Sequence, residues 1–593
     1  MAMPIHRYAV VTLAVVTVYY HLHLIFTGLI PNLISRPVHL ALALPWVFLV
    51  GAKGSLTKRL TGYLFCVFGI YACAYVALNR DALGDQYGYL QGGQQYLLAV
   101  GLILVVLEMA RRAIKLALPS VAALALAYGF FGQYLPGQFG HPGLPPGSLL
   151  GTLTIAEGGL WGPLTGVSVN VVAVFVILGA FVGAGEGGTA FMSLATKLAG
   201  RYRAGAAKVS VLSSAFFGSI SGSASANVAS TGAITLPTMK RLGYPSSFAA
   251  AVEAVASSGG QIMPPLMGAG AFVMMELLRM GYTDIMSAAL LPSVLFFFAA
   301  WAGVDLFARR YGLRAMRSDE IPATAVVLRL APFFLIPFSI LLLVLFFTGY
   351  TPQYAAASAI FASAALLIVD QQLSISWRRW LSRLASACVN AARQIATIAS
   401  IIICAGLVIG VLNQTGLGIK VTSVIISLAG GQLWIALLLT ALACLILGME
   451  VPTTAAYVIC VSVAGPALQE LGLEPLQAHL FVFWYALLST ITPPVCGTVF
   501  IAAGMAQTRW VPVAGQAMRL GLGLYVVPLA FVANPALLYP DAHLTLALLA
   551  FVKVAVGLWL MSRSLIGGSG PSWTAPLYLA AGLAVIFMAG IGS

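Results

Sequence analysis

Charge is what this sequence has least of. Only 8% of its 593 residues are Asp, Glu, Lys or Arg, whereas 60% are hydrophobic and the mean hydropathy is +0.98. A soluble protein of this size carries far more charge on its surface. Apolar runs of about 18 or more residues recur along the chain, and this length is typical of membrane-spanning helices. The composition therefore predicts an all-α polytopic membrane protein, with about fifteen spans by run length.

Signatures of catalysis and metal binding are also missing. The seven cysteines form no CxxC pair, and the chain has no HExxH, P-loop, GxSxG or Cys/His cluster. Neither an enzyme nor an integral ATPase domain is therefore supported, and we expect no cofactor. The net charge of +14 could suggest nucleic-acid binding. However, the basic residues stand in short clusters between apolar runs, as the positive-inside rule predicts for membrane proteins, so we expect no nucleic-acid partner.

These basic clusters also predict the orientation. One cluster follows the second apolar run, at Lys53, Lys58 and Arg59, and another follows the fourth, at Arg111 and Arg112. Both lie on the same side of the membrane if the N-terminus is cytoplasmic. Residues 1–115 are predicted to form a compact four-span unit. Residues 116–168 are predicted to be a connecting span and a Gly- and Pro-rich outer linker.

Residues 169–593 contain a stretch, Gly218–Gly270, that is rich in Gly, Ala, Ser and Thr rather than continuously apolar. Lys208 and Lys240 flank its first part, about 30 residues apart, which is too short for two spans of about 20 residues and a turn. We therefore predict a re-entrant hairpin that turns near residues 221–223. A helix broken around the Pro264–Pro265 step should follow, so that the hairpin and broken helix cover about 207–278.

A second stretch, Gly448–Gly504, repeats these landmarks. Pro466, Gly472 and Pro493 follow Pro237, Gly243 and Pro264 at one constant offset of 229 residues (466 − 237, 472 − 243 and 493 − 264). This copy has no Lys or Arg between Lys420 and Arg509, so its hairpin should open to the opposite side. The chain is thus predicted to contain inverted repeats, with the second hairpin and broken helix at about 433–505. Paired interrupted segments of this kind indicate the binding site of a transporter.

Broken helices offer two kinds of ligand-binding group. Half-helix N-termini present free N–H groups that suit a carboxylate, and unwound carbonyls with nearby hydroxyls suit a hard cation. We predict two cation sites with an anion between them. The predicted cation ligands are Ser219, Ser221, Asn227, Ser257, Gly259, Gly448, Glu450, Thr453, Ser489, Thr490 and Thr492. The predicted substrate contacts are Ser221, Gly222, Ser223, Gly260, Gln261, Thr453, Thr454 and Thr498.

Other polar and proline residues complete the candidate site. Glu253 is an acidic residue inside an apolar run and is therefore a functional candidate. The helix breaks are marked by Pro264, Pro265, Pro493 and Pro494. The many neutral oxygens favour Na⁺ as the coupling ion, whereas Glu253 and Glu450 leave H⁺ open. The structural alternative is that small-residue runs only make tight helix contacts.

Acidic residues near the ends of spans, close to Arg or polar residues, are expected to snorkel or to pair locally rather than to act in transport. They are Glu108, Asp305 and Asp370. His21 and His23 are expected to be packed or interfacial, since residues two apart face different sides of a helix.

The segment GSISGSASANVASTGAITLPTMKRLGYPSSFAAAVEAVASSGGQIMPP resembles the first hairpin and following helix of the large membrane subunit of tripartite ATP-independent periplasmic (TRAP) transporters. It is most similar to the TAXI subclass, in which the small and large membrane subunits are fused. GMEVPTTAAYVI and STITPPVCGTVF resemble the second hairpin motifs. One difference is Val451–Pro452, where many relatives from other subclasses have Asp-Pro.

The resemblance implies an elevator-type secondary transporter of the bacterial inner membrane. A cation gradient would drive uptake of a small organic acid, a dicarboxylate or keto acid, delivered by a periplasmic TAXI-type binding protein. The chain would be a monomeric fused permease, with residues 1–115 as the small-subunit-like domain and residues 169–593 as the large-subunit-like transport and scaffold domain. The alternatives are a divalent-anion symporter or exchanger that needs no binding protein, a membrane enzyme or channel, and a structural membrane protein.

Overall fold

The computed structural model describes residues 4–50, 55–449, 451–567 and 573–588. Every regular element in these ranges is helical, apart from one isolated bridge between Val369 and Ile375. Eight of the described helices are long and apolar enough to cross a membrane, or nine with one bent pair. This confirms an all-α polytopic architecture. The number is below the predicted fifteen because several apolar runs are divided into helices of 10–17 residues.

The first nine helices contain four of these spans. A π-helical turn, Trp46–Val50, extends α2, and another, Ser168–Val172, joins α8 to α9 in one span. The bounds are α1 Pro4–Phe26, α2 Asn32–Pro45, α3 Leu56–Leu78, α4 Arg80–Gly84, α5 Gly92–Ile114, α6 Ala117–Phe131, α7 Pro146–Thr154, α8 Pro163–Val167 and α9 Ala173–Ala184.

The middle of the chain contains the first predicted hairpin and broken helix. The bounds are α10 Gly187–Ala199, α11 Gly205–Ser221, α12 Ala224–Arg241, α13 Ser246–Gly259, α14 Ala269–Leu278, α15 Tyr282–Tyr311, α16 Thr324–Leu330 and α17 Pro332–Phe347.

The last part contains the second predicted hairpin and broken helix. The bounds are α18 Pro352–Leu366, α19 Trp377–Thr415, α20 Leu417–Ala429, α21 Leu433–Gly448, α22 Thr453–Glu470, α23 Pro475–Leu488, α24 Gly497–Met505, α25 Trp510–Leu520, α26 Leu522–Ala533, α27 Leu544–Ile566 and α28 Thr574–Phe587.

The chain divides into two compact units. The first consists of Met1–Ala184, Ser339–Leu439 and Glu450–Leu471. The second consists of Gly185–Phe338, Thr440–Met449 and Gly472–Ser593. The N-terminal four long helices thus share the first unit with later segments of the chain.

The long helix α19 is the core of the first unit. Its 39 residues span about 58 Å at 1.5 Å per residue. Ser376 caps its start by accepting a hydrogen bond from the Arg379 backbone N–H, and Gly416 ends it in the left-handed conformation at φ +66°. Helices α1, α2, α5, α6 and α9 pack around it. Small residues permit this packing: a Cβ at Gly410 would lie only 2.5 Å from the Gly158 carbonyl oxygen.

A buried chain of hydrogen bonds links α1 and α2 of the first unit to the π-helical turn Ser168–Val172. His21 Nδ1 lies 2.7 Å from the Thr17 carbonyl oxygen, and His21 Nε2 lies 2.8 Å from His39 Nδ1. His39 Nε2 lies 3.0 Å from Ser168 Oγ. Because a carbonyl only accepts, His21 donates to Thr17 and accepts from His39 when both rings are neutral. His21 is thus packed, as predicted.

Helix α13 is the core of the second unit. All its residues from Phe248 to Gly259 are buried, and α11, α12, α15, α24 and α25 surround it. Alanines at 249–251, 254 and 256 allow these helices to approach closely. A polar side chain on α13 must therefore find its partners within the protein, since water does not reach it.

The predicted local pairing of the acidic residues near span ends is confirmed. Glu108 pairs with Arg111 at 2.6 Å, and Asp370 pairs with Arg379 at 2.7 Å. Asp305 pairs with Arg309, one turn later in the same helix, at 3.0 Å, and it also lies 2.8 Å from the Lys208 ammonium. These carboxylates neutralise nearby cations, whereas Glu253 is fully buried inside the second unit.

The packing around α19 predicts a stability effect. Gly410→Ala places a Cβ against the backbone of residue 158 and should destabilise the protein by about 1–3 kcal/mol, as overpacked sites do. The control Gly183→Ala adds the same methyl group where none of the described atoms lies within 4 Å. Thermal unfolding of both purified variants measures the difference. Equal melting temperatures for the two would contradict the packing described here.

Candidate functional site

The first hairpin turns at the predicted position. Helix α11 ends at Ser221, Gly222 adopts the left-handed conformation at φ +59°, and α12 begins at Ala224. Ser223 caps α12, because its hydroxyl accepts a hydrogen bond from the Ala226 N–H at 3.3 Å. A glycine at residue 222 relieves the steric cost of positive φ, so its role in the turn is conformational.

The helix break after this hairpin also lies where the sequence predicts it. Helix α13 ends at Gly259, a 3₁₀ turn covers Gly260–Ile262, and the chain is irregular until α14 begins. The irregular part contains Pro264–Pro265 and is closed by a 2.8 Å hydrogen bond from the Gly268 N–H to the Gln261 carbonyl. Backbone carbonyls and N–H groups around Gly260 and Gln261 are thus released from regular helical pairing.

The second stretch has matching helix bounds. Helix α22 begins and ends 229 residues after α12 (453 − 224 and 470 − 241). Helix α23 begins and ends 229 residues after α13 (475 − 246 and 488 − 259). Its break runs from Ser489 to Cys496 and contains Pro493–Pro494, and the Thr498 N–H donates to the Thr490 carbonyl across it at 3.2 Å.

In both copies the first hairpin helix packs tightly against the break. A Cβ at Gly260 would lie 2.6 Å from the Gly218 Cα, and a Cβ at Gly218 would overlap Gly260. In the second copy, a Cβ at Gly448 would lie 2.6 Å from Ser489 Oγ. The small residues therefore make close helix contacts, as the structural alternative expects. The same contacts hold the breaks in place.

Glu253 lies at the centre of a cage of hydroxyl groups. Its side chain is fully buried (0% exposed), and hydroxyls from three helices donate to its carboxylate. The donors are Ser210 at 2.7 Å, Ser257 at 3.1 Å, Ser214 at 3.4 Å, Thr231 and Thr235. Burying a carboxyl group without partners is very costly, so these donors are what permits Glu253 on α13.

Asn227 connects the cage to the helix break. Its side-chain amide donates to the Ser214 carbonyl at 2.9 Å and to the Ser257 carbonyl at 3.4 Å. Its Oδ1 lies 3.4 Å from Thr231 Oγ1, whose hydroxyl donates to Glu253. The buried Asn227 therefore joins α11, α12 and α13 next to Gly218 and is part of the structural network around the predicted cation site.

Hydroxyls also connect the two broken helices within the second unit. Ser258 Oγ lies 2.9 Å from Thr490 Oγ1 and 3.3 Å from Thr498 Oγ1. Thr498 in turn donates to the Thr490 carbonyl at 2.7 Å. The structure thus brings one residue of the first copy into contact with two predicted site residues of the second.

The remaining predicted residues are placed as follows. Ser219 donates to the Phe216 carbonyl at 2.8 Å, and Ser489 donates to the Ala486 carbonyl at the end of α23 at 2.7 Å. Thr492 Oγ1 lies 2.7 Å from the Tyr525 hydroxyl. Thr453 and Thr454 begin α22 in the first unit and are half-buried. Glu450 and the side chain of Ser221 lie outside the described part of the chain.

Gln261 is distinctive within this site. It is 8% exposed, and its Oε1 atom is buried without a hydrogen-bond partner among the described residues. A buried amide oxygen normally accepts at least one hydrogen bond. The orphaned oxygen beside an irregular backbone segment is therefore suited to bind a ligand group or a cation.

Sequence reasoning missed four members of the cage, Ser210, Ser214, Thr231 and Thr235. A signal was present: the two serines are four residues apart on α11, and the two threonines are four residues apart on α12. Residues at this spacing share one helix face, so each pair presents its hydroxyls in one direction.

The cage is not repeated in the second copy. At the 229-residue offset, Val482 corresponds to Glu253, Cys460 to Thr231 and Ala464 to Thr235. Among the described residues, no group of three or more His, Cys, Asp or Glu side chains could hold a metal ion.

Comparison with known proteins identifies the family. The family model described as "Tripartite ATP-independent periplasmic transporter, DctM component" matches residues 101–543. The chain belongs to this family. It is therefore a multi-span membrane permease, and both breaks and both hairpins lie within the matched segment.

Three relatives illustrate the range of the family. The chain is 25% identical to the C4-dicarboxylate TRAP transporter large permease protein DctM of Pseudomonas aeruginosa, over 60% of this chain and 81% of the relative. It is 24% identical to the isethionate TRAP transporter permease protein DctMQ of Oleidesulfovibrio alaskensis, over 58% and 53%. It is also 24% identical to the protein YgiK of Salmonella typhimurium, over 61% and 82%.

The contact between Gly218 and Gly260 generates a prediction. Gly218→Ala places a Cβ against Gly260 and should push α11 away from the 3₁₀ turn. Solute uptake should fall about tenfold or more, and a tenfold change corresponds to about 1.4 kcal/mol. The control Gly504→Ala, on α24 of the same unit, meets none of the described atoms within 4 Å. Uptake into proteoliposomes measures both. Normal uptake by Gly218→Ala would show that this contact does not position the site.

Proposed function

We propose that this chain takes up a small organic acid by secondary active transport, with Na⁺ as the coupling ion. The observation that carries the proposal is the pair of interrupted helices within the segment matched by the family. Both breaks expose neutral oxygens and free backbone groups, and Gln261 Oε1 lacks a partner among the described residues. Such sites suit a carboxylate together with a hard cation.

The substrate class and partner rest on the relatives. Two of them are named for a C4-dicarboxylate and for isethionate, which are both small organic anions. We propose that this chain transports a dicarboxylate or keto acid, which a periplasmic binding protein of the TAXI type delivers. The requirement for this partner distinguishes the proposal from a divalent-anion symporter or exchanger that works alone.

The architecture supports a fused permease of the bacterial inner membrane. The family match begins at residue 101, and the long helices α1, α2 and α3 precede it. Together with α5 they would form the small-subunit-like part, with a cytoplasmic N-terminus. The inverted repeats would move a transport domain by an elevator mechanism, within a chain that acts as a monomer.

A specific observation favours a second candidate, the H⁺-coupled version of this system. Glu253 is the buried carboxyl group of the site, and the second copy has no counterpart. A cavity of about 310 Å³ in the second unit is lined by Thr235, which donates to Glu253. Water in this cavity would give protons a short route to the carboxyl group.

Reconstitution tests the proposed function. Purified permease in proteoliposomes, supplied with its binding protein, should accumulate substrate only under an inward Na⁺ gradient, because Na⁺ binding at the breaks would be coupled to that of the anion. A pH gradient alone should drive no accumulation. Liposomes without the binding protein provide the control. Accumulation without the binding protein would contradict the partner, and accumulation under a pH gradient alone would contradict Na⁺ coupling.

Glu253→Gln separates the two coupling ions. The amide has the shape of the carboxyl group, and the surrounding hydroxyls can both donate and accept, so the cage should remain closed. With Na⁺ coupling, the dependence of uptake on Na⁺ concentration should stay within about twofold of wild type. With H⁺ coupling, gradient-driven accumulation should be lost while substrate exchange continues. Glu276→Gln, an exposed glutamate of α14, is the matched control.

A further inference from the structure

The first unit contains a cavity that the transport site does not explain. It has a volume of about 590 Å³ and is lined by residues of α3, α5, α19 and the π-helical turn after α2. Four of the lining residues are cationic: Lys58, Arg111, Arg112 and Arg393. They stand at the beginning of α3, at the end of α5 and within α19, so the fold gathers basic residues from three helices around one space.

Only part of this positive charge is neutralised. Glu108 accepts hydrogen bonds from Arg111 at 2.6 and 2.8 Å and from Arg112 at 2.7 Å. The side chains of Lys58 and Arg393 have no hydrogen-bond or ion-pair partner among the described residues. Four cations and one carboxylate leave a formal charge of +3 at the cavity (4 − 1). A cavity with this charge attracts an anion.

The unpaired cations determine the ligand chemistry. The ammonium group of Lys58 and the guanidinium group of Arg393 are only hydrogen-bond donors. The Thr397 hydroxyl is occupied by a 3.0 Å bond to the Arg393 carbonyl. The unpaired groups around this cavity are therefore donors, which suits a group with several acceptor oxygens such as phosphate.

Part of the cavity wall is preorganised. The Arg112 guanidinium donates to Thr61 Oγ1 at 3.0 Å and lies over the Phe48 ring, 5.0 Å from its centroid. Gly62 makes room for it, since a Cβ there would lie 2.8 Å from Arg112 Nη1. Arg112 is thus held in one place by α3, α5 and the π-helical turn Trp46–Val50. This ordering lowers the entropic cost of binding an anion.

The surroundings favour a lipid over a soluble anion. Lys58 stands in the first turn of the span Leu56–Leu78, and Arg111 and Arg112 stand in the last turn of α5. The cavity therefore lies where the membrane helices end, at the depth of lipid headgroups. Basic pockets between transmembrane helices on the cytoplasmic side are known to recognise anionic headgroups.

We propose that this cavity binds the phosphate of an anionic phospholipid headgroup. Lys58 and Arg393 contact the phosphate, and Arg112 forms the fixed wall. The lipid would join three helices of the first unit from the membrane side.

Native mass spectrometry of the full chain with added phosphatidylglycerol or phosphatidylcholine tests this site. Wild type should retain one phosphatidylglycerol about tenfold more tightly than phosphatidylcholine. The double variant Lys58→Gln/Arg393→Gln should lose this preference. The matched control Arg59→Gln/Arg378→Gln removes two exposed charges from the same two helices outside the cavity lining and should behave like wild type.

The outcomes separate the possible sources of phosphate. Displacement of phosphatidylglycerol by millimolar inorganic phosphate would overturn the lipid assignment in favour of a soluble anion. Equal losses in the cavity and control variants would overturn the site. The charge-preserving variant Lys58→Arg/Arg393→Lys should keep the preference, and thermal unfolding shows which variants are folded. Loss of binding in a folded cavity variant alone supports the proposal.

Discussion

The second unit depends on the burial of one carboxyl group. Glu253 is on α13, which is buried from Phe248 to Gly259, so a charge or an unpaired polar group there would be strongly unfavourable. Hydroxyls from α11, α12 and α13 itself satisfy it, so these three helices cannot separate without exposing unpaired polar groups. The carboxyl group therefore sets the mutual placement of the hairpin and the helix that breaks after it. Asn227 extends the same constraint to the turn at Gly260.

Close packing and polarity cooperate in this arrangement. The glycines at positions 218 and 260 let two backbones touch, and the small serines and threonines fit between helices while supplying hydrogen bonds. A larger residue would separate the helices and break the network, whereas an apolar one would leave Glu253 unsatisfied. The structural and functional interpretations of a small-residue run are therefore compatible here, because the tight contacts position the oxygens that a transported ion would use.

The two stretches have helices at matching positions but differ in their buried side chains. Helix bounds repeat at a single offset, and both breaks contain a Pro-Pro step. Yet Val482 occupies the position that corresponds to Glu253. Cys460 and Ala464 occupy the positions that correspond to the cage residues Thr231 and Thr235. The two breaks therefore differ in the side chains buried beside them. Ser258 lies within hydrogen-bonding distance of Thr490 and Thr498, so the two breaks are in direct contact.

The sequence by itself determined the class of protein, the two interrupted stretches and the positions of their turns and breaks. These properties depend on composition and on local rules: apolar run length, the positive φ that favours Gly222, and prolines that cannot donate a hydrogen bond. Only the tertiary structure decided which hydroxyls surround Glu253, since Ser210 and Thr235 come from different helices. Likewise, Lys58 and Arg393 are more than three hundred residues apart (393 − 58 = 335), and only folding brings them to one cavity. Side-chain partners across helices depend on packing, which no local pattern encodes.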